Sequence, residues 1–377
     1  MNIVMLQHTF NPTTMGWVRG LEGRGHRVLT LVANDTEPFG GWAEDLRVAI
    51  VPDSAGLIGR VLMRLSSGRK SAVFAIPQVR HLRRVLVEFE TDAVLVKIYS
   101  LRNIVALLVA LSLRVRRAAW IEQFPPPNLE WRIQRRIGVL PSRVFTVLDE
   151  RPGGLAMPLE PPAAGYPVIE YSPVVPSRVE REPIAERPVR ILTAAAFWSP
   201  EHKRPFWTLE AARDAGLLDG RCRFTFTGIG KAAGSGEGRK FKSQRILIEM
   251  VQDLDIAHLV DIRVNVPYLN MPAVYDEHDV LVLPSAWEQF GMVVPEAMAH
   301  GLAVVASDCV GSRGCIVPGV TGVLFDTQDR DDLARALRGL VERPERIEAM
   351  GAAGRDFIVR NASPEVTALR LEDLLKR

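Results

Sequence analysis

The sequence predicts an α/β protein built of two doubly wound, parallel-sheet halves that face each other across a cleft. Three observations lead there. Short strand-like runs alternate with longer helical ones, in the order of repeated βαβ units. The strand-like runs, such as Val280-Leu-Val-Leu283, are apolar at every position, as parallel strands covered on both faces must be. Finally, 377 residues exceed what one core supports, and prolines crowd residues 151–188. The expected division is a first domain at 1–175, a second at 176–362, and a terminal helix at 363–377 that packs back on the first.

The first half opens with a strand at 2–6, read as a strand and not as an export signal because it lacks a basic leader and a small-residue cleavage site. A polar loop, 7–14, places His8 and Asn11 on the cleft side, where they are candidates for touching an acceptor. The loop contains no glycine, so a dinucleotide-binding Gly-x-Gly-x-x-Gly is absent and a nicotinamide enzyme is disfavoured. A helix from Met15, a strand at 28–33, helices at 57–69 and 78–89, a strand at 93–96, a helix at 103–113 and a strand at 118–121 follow. Gln123-Phe-Pro-Pro-Pro-Asn128 can be neither helix nor central strand and is assigned to a cleft-side loop.

The second half restarts the pattern. A strand at 189–194 leads into a loop at 195–203 and a helix at 205–215. The next strand, 223–227, runs into Gly228-Ile-Gly230, two glycines that could let the backbone approach a nucleotide, though a plain turn explains them equally well. A glycine-rich basic loop with Ser235, Arg239 and Lys240 comes next, then a helix to 254, a strand at 259–264 and a helix at 273–277. Beyond the strand at 280–283, strands are expected at 303–306 and 322–325, and a helix at 329–342. A terminal helix is expected to begin with Ser363 as cap and Pro364 in its first turn.

Composition narrows the function. With 47% apolar and 24% charged residues the chain is of the soluble globular kind. The longest apolar run, 104–113, is about half of the roughly 20 residues that a membrane-spanning helix needs. Three cysteines, Cys222, Cys309 and Cys315, form neither a disulfide framework nor a metal-ligand spacing, which suggests a reducing compartment, the cytoplasm, and no metal site. Residues 1–170 carry 21 basic against 15 acidic side chains, with clusters at Arg114-Val-Arg-Arg117 and Arg132-Ile-Gln-Arg-Arg136. Such a half could rest against the inner face of an anionic membrane or attract an anionic acceptor. For each cluster alone, a solvated helix face is the plainer reading. Interleaved aromatics are missing, so nucleic acid is not an expected partner.

Chemistry concentrates in residues 281–301. The apolar run stops at Pro284-Ser285, so Glu288 falls just past the carboxyl end of a strand, where open α/β sheets bind ligands. Pro295 suits a first helical turn and Gly301 a helix end, which puts the amides of Gly291, Met292, Val293 and Val294 at a helix start suited to phosphate. Glu296, eight residues after Glu288, follows; a carboxylate there could instead merely complement the helix dipole.

With Pro284-Ser285, Glu288-Gln-Phe-Gly291, Glu296-Ala-Met-Ala-His-Gly301, Ser307-Asp308 and Thr321-Gly-Val-Leu324 in this order, residues 279–326 resemble the retaining glycosyltransferases of family 4, the group 1 glycosyl transferases with the two-Rossmann-domain GT-B fold. The resemblance implies a metal-independent transfer of a sugar from a nucleotide-sugar donor to a hydroxyl of a glycan, a lipid-linked sugar or a small molecule, with no cofactor beyond the donor. It implies that Lys203 neutralises the donor phosphates, that Glu288 contacts the sugar, and that Glu296 holds the ribose. The family's arginine before that lysine is replaced by the stretch Ala194-Ala-Ala-Phe197, leaving Arg204 as a substitute; its glycine pair before the first helix is reduced to Met15-Gly16. Tyr268 or Val266 could border the base, though a core position is the plainer reading of both. Alternatives with the same fold are a sugar-nucleotide epimerase, a phosphorylase, or a silent sugar-nucleotide-binding protein.

Overall fold

The computed structural model describes residues 1–7, 14–33, 46–52, 77–97, 101–121, 144–146, 171–177, 182–197, 200–230, 241–288 and 290–376. Two compact units divide the chain: Met1–Leu148 with Pro161–Ser172 and Pro364–Arg377, and Asp149–Glu160 with Pro173–Ser363.

In the first unit β1 (Asn2–Leu6), α1 (Met15–Gly23), β2 (Arg27–Val32), β3 (Val48–Ile50), α2 (Val79–Glu88), β4 (Ala93–Lys97), α3 (Leu101–Ser112), β5 (Arg116–Ile121) and β6 (Val144–Thr146) follow in order. The strands form one parallel sheet, β3-β2-β1-β4-β5-β6. Leu6, Leu31, Val94 and Val96 are buried against Leu82 and Leu86 of α2 and Ala106 and Ala110 of α3. The terminal helix Pro364–Lys376 belongs to this unit and lies along α1. Gly20 is required there, because a Cβ on it would stand 2.0 Å from the Pro364 carbonyl oxygen. Arg24 clasps Glu372 with two hydrogen bonds of 2.7 and 3.1 Å, and His26 Nε2 reaches the same carboxylate at 2.6 Å.

The second unit contains β7 (Val189–Ala194), α4 (Trp207–Asp214), β8 (Cys222–Gly228), α5 (Lys242–Asp253), β9 (Val260–Val264), α6 (Met271–Asp276), β10 (Val280–Leu283), α7 (Val293–Ala299), β11 (Ala303–Ser307), α8 (Val310–Arg313), β12 (Val323–Phe325), α9 (Arg330–Val341) and α10 (Pro344–Asn361). Its sheet is again parallel, β12-β11-β10-β7-β8-β9. One face packs Ile191, Phe224, Phe226 and Val282 against Leu209, Leu247 and Leu337. Each such side chain, removed from water, contributes about 1.5–3 kcal/mol. Asp279, 1% exposed, anchors the start of β10 by taking two bonds from Arg187, at 2.7 and 2.8 Å, and one from the Arg190 amide. Asp329 caps α9 by accepting from the amides of Asp331 and Asp332.

Both sheets are doubly wound, with the parallel sheets expected from the pattern of runs. The 18-residue α10 was not foreseen, and neither were the short β3 and β6. The helix expected at 57–69, the loop at 123–128 and the cluster at 132–136 lie outside the described residues.

Candidate functional site

In the second sheet the chain winds outward from β7 through β8 to β9, then returns to β10 and winds the other way. β7 and β10 are therefore neighbours whose outgoing loops diverge, and a doubly wound sheet opens its ligand crevice at this switch point. Lys203 comes from the loop after β7 and Glu288 from the loop after β10. Lys203 Nζ lies 2.6 Å from Glu288 Oε1, and the buried Ser285 hydroxyl donates to the same oxygen at 2.7 Å. The glutamate side chain is 9% exposed and the lysine 23%.

The two loops are also bound to each other through the residues just before this pair. The Ala286 amide donates to the His202 carbonyl at 2.7 Å, His202 Nε2 donates to the Trp287 carbonyl at 2.9 Å, and the two rings stack at 4.3 Å. Arg204 turns away into a left-handed backbone conformation (φ +44°). It donates to the Thr327 carbonyl at 2.6 Å and lies over the Trp207 ring at 4.3 Å, and burial pushes its pKa down. The guanidinium offered as a substitute phosphate ligand is thus tied to the frame of the unit.

Beyond Glu288 the chain turns at Gly291 (φ +62°), a conformation that glycine adopts without strain, and enters α7. The Val294 amide donates to the Gly291 carbonyl at 2.8 Å. Of the four expected anion-binding amides, those of Gly291, Met292 and Val293 therefore stay at the helix start. Gly311 supports the loop from below: its amide donates to the Glu288 carbonyl at 3.0 Å, and a Cβ on it would meet that oxygen and the Phe290 nitrogen at 2.7 Å. Sequence reasoning missed this glycine, although it stands just after the Ser307-Asp308 motif.

Glu296 projects from the first turn of α7 and is buried, 8% exposed. Burial raises its pKa, while hydrogen bonds from Tyr275 and Tyr268 oppose that rise. Tyr275 donates to Oε2 at 2.6 Å and Tyr268 to Oε1 at 2.9 Å. Burial beside this carboxylate pushes the Tyr275 phenol well up, so it stays protonated and donates. Behind it, His300 Nδ1 meets Asp276 Oδ1 at 2.7 Å and its ring packs on Tyr275 at 5.3 Å. Tyr268, expected to border a base, is thereby a partner of Glu296.

The remaining candidates divide. Gly228 lets β7 and β8 converge, since a Cβ on it would stand 1.7 Å from the Ala195 carbonyl oxygen. Gly230 exchanges two hydrogen bonds of 3.1 Å with Asn265 and is enclosed by Val264 and Phe197. Gly16 has its close approach to the Ser172 backbone, at 2.1 Å from a built Cβ. Packing accounts for all three glycines. Val266 shows no link to Glu296, whereas His8, Asn11, Ser235, Arg239 and Lys240 lie outside the described residues. None of the three cysteines forms a disulfide, and burial pushes the Cys222 thiol up to about 12. Among the described residues no helix is long and apolar enough to cross a membrane.

Residues 180–357 match the family described as glycosyl transferases group 1. A D-inositol 3-phosphate glycosyltransferase of Thermobifida fusca is 34% identical over 134 residues, which cover 36% of this chain and 30% of that protein. A GDP-mannose-dependent alpha-(1-6)-phosphatidylinositol monomannoside mannosyltransferase of Mycolicibacterium smegmatis is 32% identical over 136 residues, covering 34% and 36%. The alignments thus span about a third of the length of these curated relatives. Among solved structures, a glycosyltransferase of Rickettsia africae superposes with a TM-score of 0.73 at 15% identity, covering 100% of this chain and 97% of its own. Anabaena Alr3699/HepE, in complex with UDP and glucose, gives 0.70 at 16%, covering 100% and 99%. The chain has the α/β GT-B fold, and the segment that carries Lys203, Glu288 and Glu296 is the one that matches the glycosyl transferases of group 1.

Proposed function

We propose that this protein is a retaining glycosyltransferase of family 4 that moves a sugar from a nucleotide-sugar donor to a hydroxyl acceptor without a metal. The observation that carries the reading is the meeting of Lys203 and Glu288 at the switch point of a sheet whose sequence matches the group 1 transferases. Breaking the donor's glycosidic bond leaves charge on the diphosphate while the anomeric carbon becomes cationic. Lys203 and the amides of Gly291 to Val293 offset that charge, and fixed donors do so without reorganising during the reaction. Glu288 contacts the sugar and Glu296 the ribose. Lys203 and Ser285 both bind Glu288 Oε1 and so fix the carboxylate for contact with the sugar. Retention then follows from front-face departure, with the leaving phosphate taking the acceptor's proton.

The relatives named for D-inositol 3-phosphate and for a phosphatidylinositol mannoside suggest a phosphorylated or lipid-anchored polyol as acceptor. A membrane-anchored acceptor would suit the basic first half, docked peripherally at the inner face of the membrane. Cosedimentation with phosphatidylserine vesicles that is lost in 0.5 M salt would support that docking, because the screening length falls from about 8–10 Å at 0.1–0.15 M toward about 3 Å at 1 M.

The donor reading is tested by melting the protein with UDP-, GDP-, ADP- and dTDP-sugars and following slow release of the nucleoside diphosphate. One donor raises the melting temperature, because ligand bound to the folded state stabilises it. That shift shrinks in Lys203→Ala and Glu296→Ala. Indifference to every donor would sink the reading.

A further inference from the structure

Glu296 poses a physical problem that the donor reading leaves open. An ionised carboxylate taken out of water must be compensated, and among the described residues no cation pairs with this one. Two phenols do the work, one on each oxygen: Tyr275 on Oε2 and Tyr268 on Oε1. They sit 21 and 28 residues from Glu296 in sequence, on α6 and on the short turn before it. Their surroundings differ. Tyr275 is buried behind the carboxylate against His300, whose imidazole Asp276 holds in place. Tyr268 is half-buried.

A carboxylate has about four acceptor positions. One phenol per oxygen occupies two of them and leaves one on each oxygen, a pair that matches two hydroxyls on adjacent carbons. The two bonds also fix the plane of the group. On the donor-site reading above, we propose that Tyr268 and Tyr275 are positioning residues that hold Glu296 to accept both hydroxyls of a ribose, which makes the site select a ribonucleotide over its 2′-deoxy counterpart. A deoxy sugar leaves one buried charged acceptor without its donor. Hydrogen bonds to charged groups are strong enough for that loss to weaken binding roughly 10- to 100-fold.

The experiment is calorimetric titration of the full chain with UDP, GDP and ADP, and with the 2′-deoxy form of whichever binds. It is run on wild type, Tyr268→Phe, Tyr275→Phe and Glu296→Gln, with circular dichroism confirming each fold. Wild type is expected to favour the ribo form by about 10- to 100-fold. Tyr268→Phe removes one oxygen from a half-buried ring, so it folds; it should weaken the ribo form by about 10-fold and barely change the deoxy form, collapsing the ratio. A merely structural role for the tyrosine would weaken both forms alike. The proposal is overturned if Tyr268→Phe leaves the ratio unchanged or binds the ribo form more tightly, the second outcome making the phenol a competitor of the ribose. If Glu296→Gln loses affinity while both phenylalanine variants keep it, the positioning role fails and the donor site stands. If no nucleoside diphosphate binds wild type, both fail.

Discussion

Lys203 Nζ stands 2.6 Å from Glu288 Oε1, an ion pair joining loops that leave two adjacent strands in opposite directions. On the proposed donor site, each charge is the other's partner until a diphosphate shares the ammonium. Lys203→Ala should therefore lower kcat by roughly 100- to 1,000-fold, the usual loss for one fixed donor to a developing anion. Glu288→Gln, which keeps a hydrogen bond to Ser285 but frees the ammonium, should retain or tighten binding of the nucleoside diphosphate while losing turnover. Steady-state rates beside product-inhibition constants separate the two effects; equal loss in both variants would contradict the assignment.

Gly311 and Glu288 are joined backbone to backbone, which makes the glycine a test of loop position without removal of any polar group. In Gly311→Ala the new methyl would meet Glu288 O and Phe290 N at 2.7 Å, and backbone atoms cannot yield as a flexible side chain could. The Glu288 loop must move, and a displacement of about 1 Å at a reacting centre can cost on the order of 100-fold in rate. Gly339→Ala is the control. It lies in α9 with nothing within 4 Å of its built Cβ, and should gain about 0.5–1 kcal/mol with activity unchanged. Urea titration and turnover on both variants check this.

Glu296 predicts a conflict between stability and binding. Burial holds its carboxyl pKa above the usual range, so the ionised form is penalised only in the folded state. The penalty is fully present at pH values above the raised pKa and vanishes as pH falls to the ordinary carboxylate range, where both states are protonated. Glu296→Gln should then melt higher than wild type at pH 8, by roughly 2–4 °C per kcal/mol recovered. The gap should close toward pH 4, while nucleotide affinity is lower at pH 8. Melting curves across that range test the sign; a variant that melts lower at pH 8 would contradict it.

Much of this arrangement is legible in the sequence for a plain reason. Strands buried on both faces, such as Val280–Leu283, must be apolar throughout, and the loop that follows must carry the polar groups. Glu288 and Glu296 stand out on that logic. Their partners do not: Ser285 is a small residue in a turn, and Tyr268 and Tyr275 look like ordinary core aromatics until folding brings them to Glu296. Helix α10 escaped notice because it packs on backbone. A Cβ on Gly351 would stand 2.1 Å from the Gly301 carbonyl oxygen, so the helix needs a glycine where propensity argues against one. Gly16, Gly228 and Gly230 have a packing role that their sequence position does not announce. Their position at strand and helix ends suggests ligand approach, yet close approach of the chain to itself explains each.

The terminal helix supplies the last prediction. Glu372 is 6% exposed and accepts from Arg24, His26 and Lys376, at 2.7, 2.6 and 3.0 Å for the closest atoms. Hydrogen bonds from Arg24, then from His26 and Lys376, hold its carboxyl well below the usual range. A depressed carboxyl pKa stabilises the folded state at every pH above the unfolded value, about 4.3, and loses that contribution as pH falls toward the folded value. Removing the carboxylate leaves Arg24 and His26 without their shared acceptor, so Glu372→Ala should lower stability at pH 7. Since Gly20 and Ala368 still pack the helix on α1, the loss should appear as faster hydrogen exchange in 364–376 and in α1. Wild type should converge on the variant only as pH falls through the strongly depressed pKa of the folded carboxyl, because only there does protonation remove the charge that the alanine removes. Equal protection at pH 7 would show that apolar packing alone holds the helix.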